Sequence, residues 1–236
     1  MKTQFYQDLI TQTQISRRRS IVDLISIGLI VFLAVGVSSG HAQAPPPLPA
    51  YQLTDLGVLP SKKANVSSPA AINDQMQVTG TSGMTGVDES AFLYDPKQPK
   101  GGLEDLGRNY GGISHGFGIN GIGDVVGDWA PNPSEPCRAA IFRYGKIIHL
   151  GVLKGTVSSE AHSINASGMV VGFCFGKLND PSSYRAFMWN PAVGMINIGT
   201  LGGTAAQAFA VTDGGLITGT SEIAQAPQVK TTHAFI

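Results

Sequence analysis

Charge is scarce in this chain: only 14% of its 236 residues are Asp, Glu, Lys or Arg, with 16 of each sign and a net charge of zero. That balance argues against both a disordered acidic or basic tail and a nucleic-acid binder. A sustained helical period is absent beyond the N-terminal segment, so a helical domain is not expected. The four histidines of that region, His115, His149, His162 and His233, share no metal-ligand spacing, and no loop carries the dense Asp/Asn alternation of a calcium site. No metal or cofactor is therefore expected.

Glycine and proline are plentiful, at 30 and 14 residues. The N-terminus reads as an export signal: Arg17-Arg18-Arg19, an apolar run over 21–37 interrupted by Asp23, then small residues before His41-Ala42. Cleavage after Ala42 is expected, giving a signal peptide over 1–42; an uncleaved anchor is the alternative reading of the same run. Its removal leaves 12 Lys and Arg against 14 Asp and Glu, so the basic residues serve the N-terminus. Residues 43–50 are proline-dense and read as an extended linker without a packing face. Cys137 and Cys174 follow it, and an oxidising compartment would permit a disulfide between them, with free buried thiols as the other possibility.

Residues 51–236 carry a repeat. Leu-Gly, once Ile-Gly, recurs at 56–57, 106–107, 150–151 and 198–199. Ile72-Asn73, Ile119-Asn120, Ile164-Asn165 and Val211-Thr212 each precede a glycine, at Gly80, Gly127, Gly172 and Gly219. A third marker runs Ala91-Phe92-Leu93-Tyr94, Ala140-Ile141-Phe142-Arg143, Ala186-Phe187-Met188-Trp189 and Ala234-Phe235-Ile236. Each period offers four short β-rich runs, here lettered A (such as 103–106), B (ending in Ile-Asn), C (such as 169–171) and D (such as 186–189), separated by turn residues. The B–C link places Asn first and Gly fourth in Asn165-Ala166-Ser167-Gly168, as a type I turn followed by a left-handed residue prefers. Asn73-Asp74-Gln75-Met76 puts Met in the glycine slot, so the first turn is expected to differ.

Four strands in about 47 residues is the arithmetic of a propeller blade. The expected fold is all-β: four four-stranded antiparallel repeats, propeller-like, closed by pairing the N-terminal strand 51–56 with the C-terminal strand 232–236. A truncated larger ring or an open stack is the competing reading.

These markers resemble the HAF family of probable extracellular repeats, whose pattern is His-Ala-Phe near strand D with an Ile-Asn-x-x-Gly-x-Val-x-Gly hairpin before it. The resemblance covers 51–236 and keeps the motif histidine only at His233, with Ser90 and Arg185 in its place in the first and third copies. It implies an exported, surface or secreted repeat protein, and no activity.

Gly112-Ile113-Ser114-His115-Gly116 has the spacing of a nucleophile elbow, but that device needs a helix after the serine. Ser67, Ser114 and Ser159 share one repeat position, so a recurring capping hydroxyl is expected instead. Asp124, Asp128, Glu104 and Asp105 could gather a cation with loop carbonyls, although solvated loop charge explains them. Asn65 and Asn165 begin glycosylation sequons by pattern. Trp129, Trp189, Tyr94 and Tyr144 could line a sugar-stacking groove or fill the space between sheets. No catalytic residue is assigned. The C–D loops 81–90, 128–139, 173–185 and 220–233 differ most between copies and are the expected binding face. Its partner would be an unknown protein or glycan at the cell surface; the runner-up is a hydrolase or lyase, favoured if three or more carboxylates or histidines converge on the axis.

Overall fold

The computed structural model describes residues 51–60, 64–84, 88–98, 102–107, 112–176, 184–224 and 231–236. The expected signal peptide 1–42 and linker 43–50 lie outside them. Among the described residues of the unit 52–236 the regular structure is entirely β, in four antiparallel sheets.

Sheet one is β1 (Val66–Ile72), β2 (Val78–Met84), β3 (Asp88–Tyr94) and β4 (Leu103–Asp105). Sheet two is β5 (Ile113–Ile119), β6 (Val125–Ala130), β7 (Arg138–Arg143) and β8 (Lys146–Gly151). Sheet three is β9 (Ser158–Ile164), β10 (Val170–Phe175), β11 (Arg185–Asn190) and β12 (Gly194–Asn197). Sheet four has three strands, β13 (Gly202–Val211), β14 (Ile217–Ile223) and β15 (Thr232–Phe235). Each of the first three sheets is thus a B–C–D meander finished by the A strand of the following repeat, so sheet and sequence repeat are offset by one strand.

Three apolar clusters fill the three gaps between successive sheets. Ala91, Val125, Ala140 and Phe142 lie between the first and second, a cluster around Ile141, Ile164, Val170 and Phe187 between the second and third, and Val171, Ala186, Ala206 and Ala208 between the third and fourth. The B strands β1, β5, β9 and β13 pack on one another in turn, whereas the rim strands β8 and β12 scarcely meet, so the sheets splay from a common hub.

One device recurs in every B strand. The register skips Ala70, Phe117, His162 and Phe209, each the extra residue of a β-bulge. The bulge pushes the carbonyls of Ser68, His115, Glu160 and Gln207 onto the Cα atoms of Gly80, Gly127, Gly172 and Gly219, where a Cβ would sit inside the carbonyl oxygen. This is the physical reason that a glycine follows the hairpin in all four copies.

A second device ties the turns together. Asn73, Asn120 and Asn165 each accept backbone N–H groups of their own turn on Oδ1. Their Nδ2 groups donate onward to the carbonyls of Asn120, Asn165 and Thr212, at 2.9, 3.3 and 3.0 Å. Thr212 caps its own turn through Oγ1 but has no amide to pass on.

Three expectations are corrected. Met76 does take the left-handed conformation, at φ 61°, so the first turn matches its glycine counterparts, at a cost of about 1 kcal/mol. In the second copy Gly127 pairs with Ala140, where Gly80, Gly172 and Gly219 pair with Phe92, Phe187 and Phe235. The third marker therefore begins at Ala139, not Ala140, and Arg138 occupies the position of His233. Among the described residues the closing pair is not formed: 51–56 make no strand, and the strand paired with β15 is β14.

Candidate functional site

Sheets two and three enclose a groove of about 580 Å³, lined by His115 and Phe117 from β5, Asp128 from β6, Glu160 from β9, Phe175 from β10 and Cys137 from the C–D loop of the second copy. Pro133 and Pro136 of that loop form its lip. Stiff prolines and the Asn132 side chain, which accepts the Ser134 N–H and donates to Glu135, fix the loop's shape.

His115 organises the polar side. Its Nδ1 lies 2.6 Å from Asp128 Oδ1 and its Nε2 3.3 Å from Glu89 Oε2, so a carboxylate faces each ring nitrogen. Burial pulls the imidazole pKa down, but the hydrogen bond and charge of Asp128, then those of Glu89, outweigh it and lift the group to about 9. At neutral pH both nitrogens carry protons and donate. Burial pushes the Asp128 carboxyl up, with His115 working against it. The Cys137 thiol is pushed up to about 12, first by burial and then by the charges of Asp128 and Glu160, so it stays protonated and is no nucleophile at neutral pH.

A row of rings continues from this cluster along the bulges. Phe117 and His162 stack at 5.0 Å and 5°, His162 meets Phe209 edge-on at 5.7 Å, and Phe173 lies 5.0 Å from His162. In the second and third copies the bulge aims the extra side chain at its counterpart in the next sheet, so ring contacts replace the apolar contacts used elsewhere.

A raised histidine pKa sets a stability window. The folded value of about 9 lies above the ordinary 6.5, so the contribution of His115 is complete below pH 6.5 and is lost as pH rises through about 9. Denaturant unfolding between pH 6 and 10 is expected to show this loss in the wild type and not in His115→Gln; equal slopes in both proteins would contradict it.

The other sequence candidates fall elsewhere. Ser114 is buried and its Oγ accepts the Ala91 N–H at 2.9 Å; Ser159 does the same for Ala139 at 2.8 Å and donates to the Gly151 carbonyl. These are inter-sheet latches, as their shared repeat position suggests, and Ser114 opens no helix. Asp124 is bound by Arg143 through Nε and Nη2. Asp105 accepts the Gly107 N–H. Among the described residues no group of three or more His, Cys, Asp or Glu is placed to hold a metal ion. Asn165 is a buried rung of the turn ladder, so its sequon is inaccessible in the folded state.

Trp129 packs beside the cluster between sheets one and two and lies 5.1 Å from His149, Trp189 packs on the next cluster, and Tyr144 is exposed at a turn. They form no common groove. Both cysteines are free thiols, the second of the two readings of the pair: Cys174 lies in the core with Sγ 3.5 Å from Met195 Sδ, while Cys137 faces the groove. The C–D loop 128–139 is described throughout; 85–87, 177–183 and 225–230 of the other three lie outside the described residues.

Sequence reasoning passed over the Glu89–His115–Asp128 cluster because its members are separated along the chain and join only through strand pairing and sheet stacking. Matched against family models, curated proteins and solved structures, the chain has no counterpart among them.

Proposed function

We propose that this chain is an exported, propeller-like binding module whose recognition face is made by the C–D loops. The observation that carries the reading is the groove at loop 128–139, a concave surface joining aromatic and proline faces to acidic groups and held between sheets two and three. Pockets of this size and mixed lining suit ligand recognition. The HAF-like repeat pattern and the N-terminal signal favour a protein or glycan of the cell surface as the partner.

Carboxylates and a histidine also gather here, which is the feature a hydrolase or lyase would need. Yet His115 holds a carboxylate at each nitrogen and Cys137 keeps its proton, so the cluster offers no free base or thiolate at neutral pH. The binding reading is tested by a glycan array and a pulldown from the native envelope, repeated with residues 131–136 replaced by Gly and Ser. Loss of at least tenfold in affinity for the recovered partner is expected; unchanged affinity would reject the groove as the recognition site.

A further inference from the structure

The groove between sheets two and three carries more negative charge than its own lining answers. Three carboxylates line it at different depths: Glu135 is exposed on the lip, Glu160 is half-buried on β9, and Asp128 is buried on β6. Among the described residues that line the groove, none is Lys or Arg. His115 supplies a positive charge, but it is held between Asp128 and Glu89. Glu160 Oε2 lies 3.4 Å from Nε2 of His162, which belongs to the ring row and does not line the groove. Arg138 follows Cys137 in sequence, yet it does not line the groove either, and its charge acts on the core thiol of Cys174 as well as on Cys137.

The field of these carboxylates is felt inside the groove. Burial first, and then the charges of Asp128 and Glu160, push the Cys137 thiol up to about 12. Burial is likewise the first cause of the raised Asp128 carboxyl, and the charge of Glu160 adds to it against the opposing pull of His115. Carboxylates that raise their neighbours in this way are stabilised by a cation placed between them.

Much of the remaining lining is apolar. Pro133, Pro136 and Val157 are exposed at the opening, Phe117 is half-buried and Phe175 is buried. An alkyl stem can lie along such walls while its charged head reaches the carboxylates. Arginine fits this lining better than lysine, because its planar guanidinium offers donors in a fork that matches carboxylates and packs on aromatic surface. An acidic glycan would be repelled here, and a neutral sugar would leave the charge unanswered.

We infer that the groove takes an arginine side chain of a protein partner, with its stem against Pro133, Pro136 and Phe175 and its guanidinium between Glu160 and Asp128. The inference rests on the reading of this groove as the recognition site and narrows the partner from a protein or glycan to a protein that presents a basic residue.

Three probes test it: Nα-acetyl-arginine amide, its neutral isostere Nα-acetyl-citrulline amide, and chitobiose as a neutral sugar. Each is titrated to about 50 mM into the full-length chain while NMR follows the ring signals of His115 and Phe117. The arginine compound is expected to shift these signals and to bind about tenfold more tightly than the citrulline compound, with chitobiose leaving them in place. Glu160→Gln, which keeps the side chain's size, is expected to weaken arginine binding by about fivefold or more; Glu104→Gln, at an exposed position of β4, is the unaffected control. With residues 131–136 replaced by Gly and Ser, the shifts are expected to be lost and thermal unfolding retained. Arginine binding unchanged by that replacement would overturn the groove as the recognition site, and the inference with it. No arginine-induced shift, citrulline or chitobiose bound as tightly as arginine, or full arginine affinity in Glu160→Gln would each overturn the arginine site alone and leave the groove to a different ligand.

Discussion

Gly127→Ala and Gly172→Ala are expected to destabilise the protein by about 3 kcal/mol or more each, enough to abolish a large part of a domain's stability. The added Cβ would meet the carbonyl oxygen of His115 or of Glu160, with backbone on both sides of the contact. No side chain can swing away to make room. Relief requires the bulge itself to flatten, which would turn Phe117 or His162 out of the ring row and slip the B strand against its partner. Gly121→Ala is the control: nothing lies within 4 Å of its Cβ, and its effect is expected within about 0.5 kcal/mol. Urea unfolding of the three variants measures the difference. Comparable midpoints for Gly172→Ala and Gly121→Ala would remove the bulge explanation of the repeated glycine.

The second large effect is expected at Asn165. Asn165→Ala removes the cap on the Ser167 and Met169 N–H groups and the donor to the Thr212 carbonyl at the same time. Losing several hydrogen bonds at a buried site is expected to cost about 2–4 kcal/mol. Asn73→Ala, at the more exposed first rung, breaks equivalent bonds where water replaces some of them, and about half that cost is expected. Hydrogen exchange discriminates further, because loss of the Asn165 rung should raise exchange in the turns of both the third and fourth sheets. A rise confined to the third would show that the side chain caps its own turn and bridges nothing.

The strands and turns were legible because their signals are local. Alternating β-branched and aromatic runs, and turn residues at fixed offsets, need no knowledge of partners. The shared position of Ser67, Ser114 and Ser159 also pointed correctly to a structural hydroxyl. What escaped depends on pairing across the chain. Gly80, Gly127, Gly172 and Gly219 stood out as a marker, but the carbonyls that require them belong to a neighbouring strand. The Asn heading each of the first three turns was read only as a turn residue, and its Nδ2 was the unused signal for a ladder. Met76 shows the opposite error: a local penalty of about 1 kcal/mol was given more weight than the surrounding sheet, which overrides it. Glu89, His115 and Asp128 come from three strands of two sheets, so no spacing rule joins them.

The one-strand offset between sequence repeat and sheet also shapes how the chain comes apart. Free-standing repeats in an array can melt stepwise, each giving up only its contacts with the next. Here the backbone that leaves one unit is also the rim of the unit before it, so peeling away any repeat strips a neighbour of its outermost hydrogen bonds. Intermediates with some units intact and others melted are thereby raised in free energy, and the middle of the molecule should lose its structure in a single sharp transition, with fraying confined to the two terminal units.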